Sequence, residues 1–271
     1  MAQTPAANPM PDGSRDMYVG LGVASTPDYP GARERRMAAL PLIQMAWSSG
    51  VFISGLSAGM HLSQQPSLEF GPLLALHPGR DQDGTRRRAG GVDETAVSSL
   101  APNNADAVFD SAAARAALKG MDQVGARLQA GGFVNVYLTP TVRVTNSVLY
   151  GAGNGRDGLV WNLGVQRVAA QVSAAHRVSV GAGLSLANRS YNATYFGVRL
   201  HESVASGFAP YAPGAGVKDA YLGAGWNWAL SPGWMLSSSA RITRLMGDAS
   251  DSPLVQRPTS ITVTSGIAYR F

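Results

Sequence analysis

Residues Thr259 to Phe271 read Thr-Ser-Ile-Thr-Val-Thr-Ser-Gly-Ile-Ala-Tyr-Arg-Phe. One parity is Thr259, Ile261, Val263, Ser265, Ile267, Tyr269 and Phe271; the other is Ser260, Thr262, Thr264, Gly266, Ala268 and Arg270. Successive side chains of a strand point to opposite faces, so this strand has one apolar, aromatic face and one small or polar face. Its length exceeds the ~5–6 residues usual for strands and suits the ~9–11 of a tilted membrane-spanning one.

The pattern repeats upstream. Ala220, Leu222, Ala224, Trp226, Trp228 and Leu230 alternate with Asp219, Tyr221, Gly223, Gly225, Asn227 and Ala229, and Ser231-Pro232-Gly233 then supplies a turn. Trp234 to Thr243, Arg177 to Leu186 and Leu159 to Gln166 alternate in the same way. A soluble β-sandwich also alternates, but its exposed face would carry Lys and Glu, whereas here the second face is Gly, Ser, Thr, Asn and an occasional Arg. Trp228, Trp234, Tyr269 and Phe271 fall at strand ends, where a membrane-interface girdle places aromatics. The expected fold is therefore all-β, a transmembrane antiparallel β-barrel of the outer-membrane type.

Composition agrees. Of 271 residues 45% are apolar and 14% charged, against roughly 25% charged in soluble domains. With no cysteine, disulfide scaffolds and thiolate metal sites are excluded. No stretch offers the ~20 consecutive apolar residues of a spanning helix. The net charge of +5 comes from scattered Arg, without a basic helix or a nucleic-acid-binding motif, so no nucleic-acid partner is expected.

Residues 1–16, polar and Pro-rich, are expected to be the disordered N-terminus of a mature exported chain, and 17–271 the barrel. Strands are expected at Met17 to Ala24, Met37 to Trp47, Val51 to Met60, Leu68 to His77 and Val124 to Leu138, with six more following. Eleven is an odd number and cannot put both termini on one side, so one strand is split, missed or misread. About twelve strands are expected, with ten as the alternative. Long loops are expected at about 78–120 and 187–217; the first holds Arg86-Arg87-Arg88 and a short helical stretch from Ala112 to Leu118, and its side of the membrane depends on the strand count.

The aromatic C-terminus with Ile267, Tyr269 and Phe271 resembles the signal read by the barrel assembly machinery of Gram-negative bacteria. Other stretches resemble the MltA-interacting protein family, also called MipA/OmpV: Gly20-Leu21-Gly22, Pro27-Asp28-Tyr29-Pro30-Gly31, Phe70-Gly71-Pro72-Leu73, Tyr195-Phe196-Gly197-Val198, Gly214 to Asp219, and above all Gly247-Asp248-Ala249-Ser250-Asp251-Ser252-Pro253. Near Lys119 to Val124 the chain departs from the family pattern. The resemblance implies a non-enzymatic barrel of the cell outer membrane, a scaffold that brings a lytic transglycosylase together with a penicillin-binding synthase of the cell wall. A narrow pore for small solutes or antibiotics is the alternative, and an outer-membrane lipid hydrolase a second one.

No catalytic, cofactor-binding or metal-binding residues are assigned. His61-Leu62-Ser63 and His201-Glu202-Ser203 have a hydrolase-like spacing but lack a nameable third group. Asp157, Asp248 and Asp251 read as loop-capping residues rather than cation ligands. Arg143, Arg177, Asp219, Arg241 and Arg270, with Glu69, are expected to face the lumen. Arg33, Arg35 and Arg36 form a basic cluster that could contact lipopolysaccharide phosphates.

Overall fold

The computed structural model describes residues 17–63, 65, 67–85, 88–89, 106–107, 117–173 and 175–270. Twelve strands close an antiparallel barrel: β1 (Tyr18–Pro27), β2 (Arg35–Ala46), β3 (Val51–Ser54), β4 (Ser57–Met60), β5 (Leu68–His77), β10 (Arg127–Thr139), β11 (Val142–Ala152), β12 (Gly158–Gln171), β13 (His176–Ala187), β14 (Gly216–Ala229), β15 (Trp234–Leu245) and β16 (Thr259–Arg270). Between β5 and β10 lie two small ladders, β6 (Arg80–Asp81) with β7 (Gly84–Thr85) and β8 (Arg88–Ala89) with β9 (Asp106–Ala107). Each barrel strand pairs with its sequence neighbour, and β1 closes on β16 from Tyr18↔Arg270 to Ser25↔Val263. No described helix is long and apolar enough to cross a membrane, which says nothing about strands.

The twelfth strand comes from a correction. Val51 to Met60 is not one strand but a hairpin of two four-residue strands, turned at Gly55-Leu56. With that split, both ends of the barrel chain lie at one rim, here called the terminal rim. The connections at residues 47–50, 61–67, 140–141, 172–175 and 230–233 share it. The opposite, loop rim carries 28–34, 78–85, 117–126, 153–157, 188–215 and 246–258, so the segment after β5 leaves and returns on the side away from the termini. The segment 188–215 is ordered around α1 (Arg189–Phe196) and α2 (Leu200–Ser206), and α3 (Gly247–Ser250) lies before β16. The sequence-based readings at residues 1–16, Arg86, Arg87, Ala112 to Ala116 and Phe271 fall outside the described residues.

The outward parity is apolar all round the wall: Val19, Leu21 and Val23 on β1, Val134, Val136 and Leu138 on β10, and Ile261, Val263 and Ile267 on β16 are all exposed. A continuous band of this kind is far more apolar surface than a water-soluble monomer presents. At the terminal rim Trp228, Trp234 and Tyr269 are exposed on the same parity, with the Trp234 and Tyr269 rings 5.1 Å apart.

Inside, the two halves of the barrel differ. From β12 to β16 the inward positions are small or polar, among them Ser179, Gly181, Gly183, Ser185, Gly223 and Gly225. From β1 to β11 the interior is packed with Leu40, Leu42, Phe52, Leu73, Phe133 and Leu149, each at most 3% exposed. Strands that meet an apolar environment on both faces lose the clean alternation, as in β2, Arg-Arg-Met-Ala-Ala-Leu-Pro-Leu-Ile-Gln-Met-Ala.

Candidate functional site

The interior and the loop rim hold the charged groups that the fold places away from lipid. In the packed half, Glu69 of β5 and Arg143 of β11 meet at 3.4 Å. Asn135 Nδ2 donates to Glu69 Oε2 (3.0 Å) and the Tyr137 hydroxyl to Glu69 Oε1 (3.0 Å). Arg143 also donates to the Tyr137 oxygen at 3.1 Å and to Gln166 Oε1 at 3.0 and 2.8 Å. Arg143 is 1% exposed and Asn135 0%. This is a fork-like guanidinium surrounded by acceptors, the arrangement that lets a buried Arg keep its charge. It lies in the barrel interior, shielded from solvent. Arg143 and Glu69 are thus inside the barrel and paired with one another.

Asp219 is 2% exposed, but its partner is the neighbour in sequence, Lys218, itself 3% exposed. Strict alternation would turn Lys218 towards lipid. A bulge prevents this: Ser185 pairs with Asp219 and Leu186 with Val217, leaving Lys218 as the extra residue. Its ammonium lies 5.7 Å from the Tyr191 ring. Lys218→Met should lower stability by about 3 kcal/mol by stranding the Asp219 carboxylate. Urea unfolding of the refolded barrel measures this, and Lys218→Met with Asp219→Leu should recover most of the loss.

The other expected lumen charges are dispersed. The Arg241 guanidinium sits 4.0 Å from the Tyr221 ring centroid. Arg177 is exposed near the terminal rim on the parity of Ser179, and Arg270 is half-buried at that rim, its amide donating to Gly233 O (2.7 Å). Of the basic cluster, Arg36 pairs with Asp28 at 3.1 Å, Arg35 donates to Ser25 and to Ile261 O, and Arg33 is exposed. Ile267 and Tyr269 face outward.

The loops pack into a cap. Asn188 caps α1 by accepting from Tyr191 N (2.9 Å). The Tyr191 ring then meets His77 of β5 edge to face and the Tyr195 ring meets it at a tilt, the Tyr195 hydroxyl lying 3.0 Å from His77 Nδ1. Burial, followed by the neighbouring Tyr191, holds the Tyr195 phenol above its ordinary pKa. The Gly247 to Pro253 stretch is the fastener of this cap. Asp248 Oδ2 accepts from Gly214 N (2.6 Å), Ser252 Oγ donates to Phe196 O (2.6 Å), and Tyr29 donates to Leu254 O (3.1 Å). Gly247, at φ +51°, starts the turn that positions them. Asp251 accepts from Ser250 Oγ at 3.2 Å, and Pro253 follows Ser252 into the buried Leu254.

The hydrolase-like pairs do not form reactive dyads. His61 packs between the Phe52 and Phe133 rings while Ser63 bonds to the Leu68 carbonyl. His201 lies on a helix, where residues two apart do not share a face, and its Nε2 is 3.0 Å from Asp122. Asp122, His201 and Glu202 are the described trio of metal-ligand type. Both Glu202 oxygens, however, accept backbone amides, from Asp122 N (3.0 Å) and Arg199 N (2.7 Å), which makes it a helix cap. Arg199 and His201, the side-chain partners of Asp122, are 77 and 79 residues away from it in sequence, and spacing gave no sign of them.

Against known proteins, the profile of the family described as MltA-interacting protein MipA matches residues 19–271. The chain is 28% identical over 115 residues to the MltA-interacting proteins of Escherichia coli K12 and Shigella flexneri. These matches cover 42% of the chain and 45% of each relative, so the chain spans about half the length of the curated relatives it matches. Among solved structures, the NanC porin is similar at a TM-score of 0.46 and 8% identity, over 94% of this chain and 100% of that one. The COG4313 outer membrane channel from Pseudomonas putida F1 gives 0.45 and 8%, over 97% and 99%.

Proposed function

Because the chain belongs to the MltA-interacting protein MipA family, we propose that it is a non-enzymatic barrel of a Gram-negative outer membrane that holds a lytic transglycosylase and a penicillin-binding synthase of the cell wall together. The observation that carries this reading is the family match across the whole barrel, residues 19–271. The Glu69–Arg143 network supports it, since Glu69 and Arg143 are bonded to each other and to Asn135, Tyr137 and Gln166 rather than left open to a passing solute. In this reading the terminal rim, with its short turns, faces the periplasm and receives the murein enzymes. The loop rim faces outward, and exposed Arg33 and Arg35 are the members of the basic cluster open to lipopolysaccharide.

Affinity capture from detergent extracts of the parent cell envelope tests the proposal. A murein hydrolase and a synthase should be retained by the immobilised barrel, and repeated absence of both overturns it. The sector of small residues around Gly181, Gly183, Gly223 and Gly225 favours a second reading, a narrow pore. Steady single-channel openings in planar bilayers would support that reading over the scaffold.

A further inference from the structure

The β3–β4 hairpin is too short to reach the loop rim. β4 pairs with β5 only between Ser57↔Ala75 and Gly59↔Leu73, and the Leu56 carbonyl at its tip accepts from Leu76 N (2.9 Å). A full-length strand would continue beside Pro78 to Asp81. In its place is a cavity of about 600 Å³ whose walls include Leu56, Leu76, Arg80, Asp81, Val124 and Arg127.

Its chemistry is two-sided. Leu76 shares the outward parity of β5 with exposed Phe70 and Leu74, so the apolar end of the cavity continues the lipid-facing stripe. The same wall carries two arginines. Arg80 is 4% exposed; one terminal nitrogen donates to the Tyr195 carbonyl (2.7 Å), and its Nε has no acceptor. Arg127 Nε also lacks an acceptor, and its NH1 reaches only the Ala126 carbonyl at 3.4 Å. Among the described residues neither is ion-paired with a carboxylate. The Asp81 carboxylate in the same wall accepts from Asp83 N (3.0 Å). Burial holds the Arg80 group below its ordinary pKa, only partly offset by the through-space charges of Glu202 and Asp122, so a further anionic partner would stabilise it. Gly125 leaves room for the Arg127 head, since a Cβ there would lie 3.1 Å from NH1.

We propose that this cavity binds the phosphate-bearing head group of a membrane lipid, with Arg80 and Arg127 at the phosphate and an acyl chain leaving past Leu56 and Leu76. Guanidinium groups suit phosphate because their planar fork matches its oxygens, and a free anion would make no use of the apolar end. The site is independent of any murein enzyme.

The test is calorimetric titration of the whole purified chain, in a detergent with an uncharged head group, against three probes: short-chain phosphatidic acid, the matching diacylglycerol and inorganic phosphate. Phosphatidic acid should bind at least about tenfold more tightly than either of the others, a gap of about 1.4 kcal/mol. Arg127→Ala, on the less buried of the two, should weaken phosphatidic acid about tenfold with the thermal unfolding midpoint unchanged. Leu56→Ser should weaken phosphatidic acid but not phosphate. Equal binding of the diacylglycerol overturns the head-group site. Equal binding of inorganic phosphate overturns the lipid assignment in favour of a plain anion site, and full-strength binding by Arg127→Ala overturns the proposal as a whole.

Discussion

Replacing Glu69 by Ala should remove about 3–5 kcal/mol of stability, the cost of leaving a buried charge without its partner. Arg143 would keep Gln166 and the Tyr137 oxygen but lose its counter-charge, and Asn135 and Tyr137 would lose the acceptors they reach at 3.0 Å. Glu69→Gln retains shape and much of the hydrogen bonding, so its loss should be smaller, about 1–2 kcal/mol. Urea unfolding followed by tryptophan fluorescence in lipid vesicles measures both. If Glu69→Ala unfolds at the wild-type midpoint, the pair is solvated and the lumen is open where it is here described as packed.

Gly20→Val should prevent closure of the barrel. Gly20 pairs with Ala268 where the first strand meets the last. A Cβ at this position would lie 2.1 Å from the Ile267 carbonyl oxygen and 2.6 Å from the Ala268 Cα. Both obstacles are backbone, so no side-chain rotation relieves them and the pairing itself must part. Overpacking of this severity costs about 3 kcal/mol or more, which shifts the folded-to-unfolded ratio about a hundredfold. Gly223→Ala is the control, because a Cβ there meets only the Ala240 carbonyl oxygen at 3.7 Å. Electrophoresis without heating separates compact barrels from unfolded chains. Gly20→Val should run as unfolded and Gly223→Ala as wild type; equal yields would place the closing seam elsewhere.

Legibility followed the environment of each strand. In β14 and β16 lipid lies on one side and a small, polar lumen on the other, so the parity of the side chains reports the fold directly. In β2 and β5 lipid lies outside and Leu40, Leu42, Leu73 or Phe133 inside, so both parities are apolar and the alternation blurs. The break at Gly55-Leu56 was hidden for a different reason. Four-residue strands are shorter than any window over which alternation can be judged, and only the count of strands showed that something was wrong.

The candidate sites divide in the same manner. That Asp219 and Arg143 belong inside could be read from parity; that one pairs with an adjacent Lys and the other with Glu69, 74 residues away in sequence, could not. Parity alone would turn Lys218 outward, because a bulge adds one residue to one strand and leaves no mark in the alternation.

The sequence by itself determined a lipid-facing, antiparallel barrel of about twelve strands, because a period of two is a local property that each strand writes independently. Only the tertiary structure decided what fills the barrel, which rim carries the long segment after β5, and that Arg80 and Arg127 line one cavity. Those depend on contacts between residues far apart in the chain, and strand periodicity carries no information about which distant side chain stands opposite.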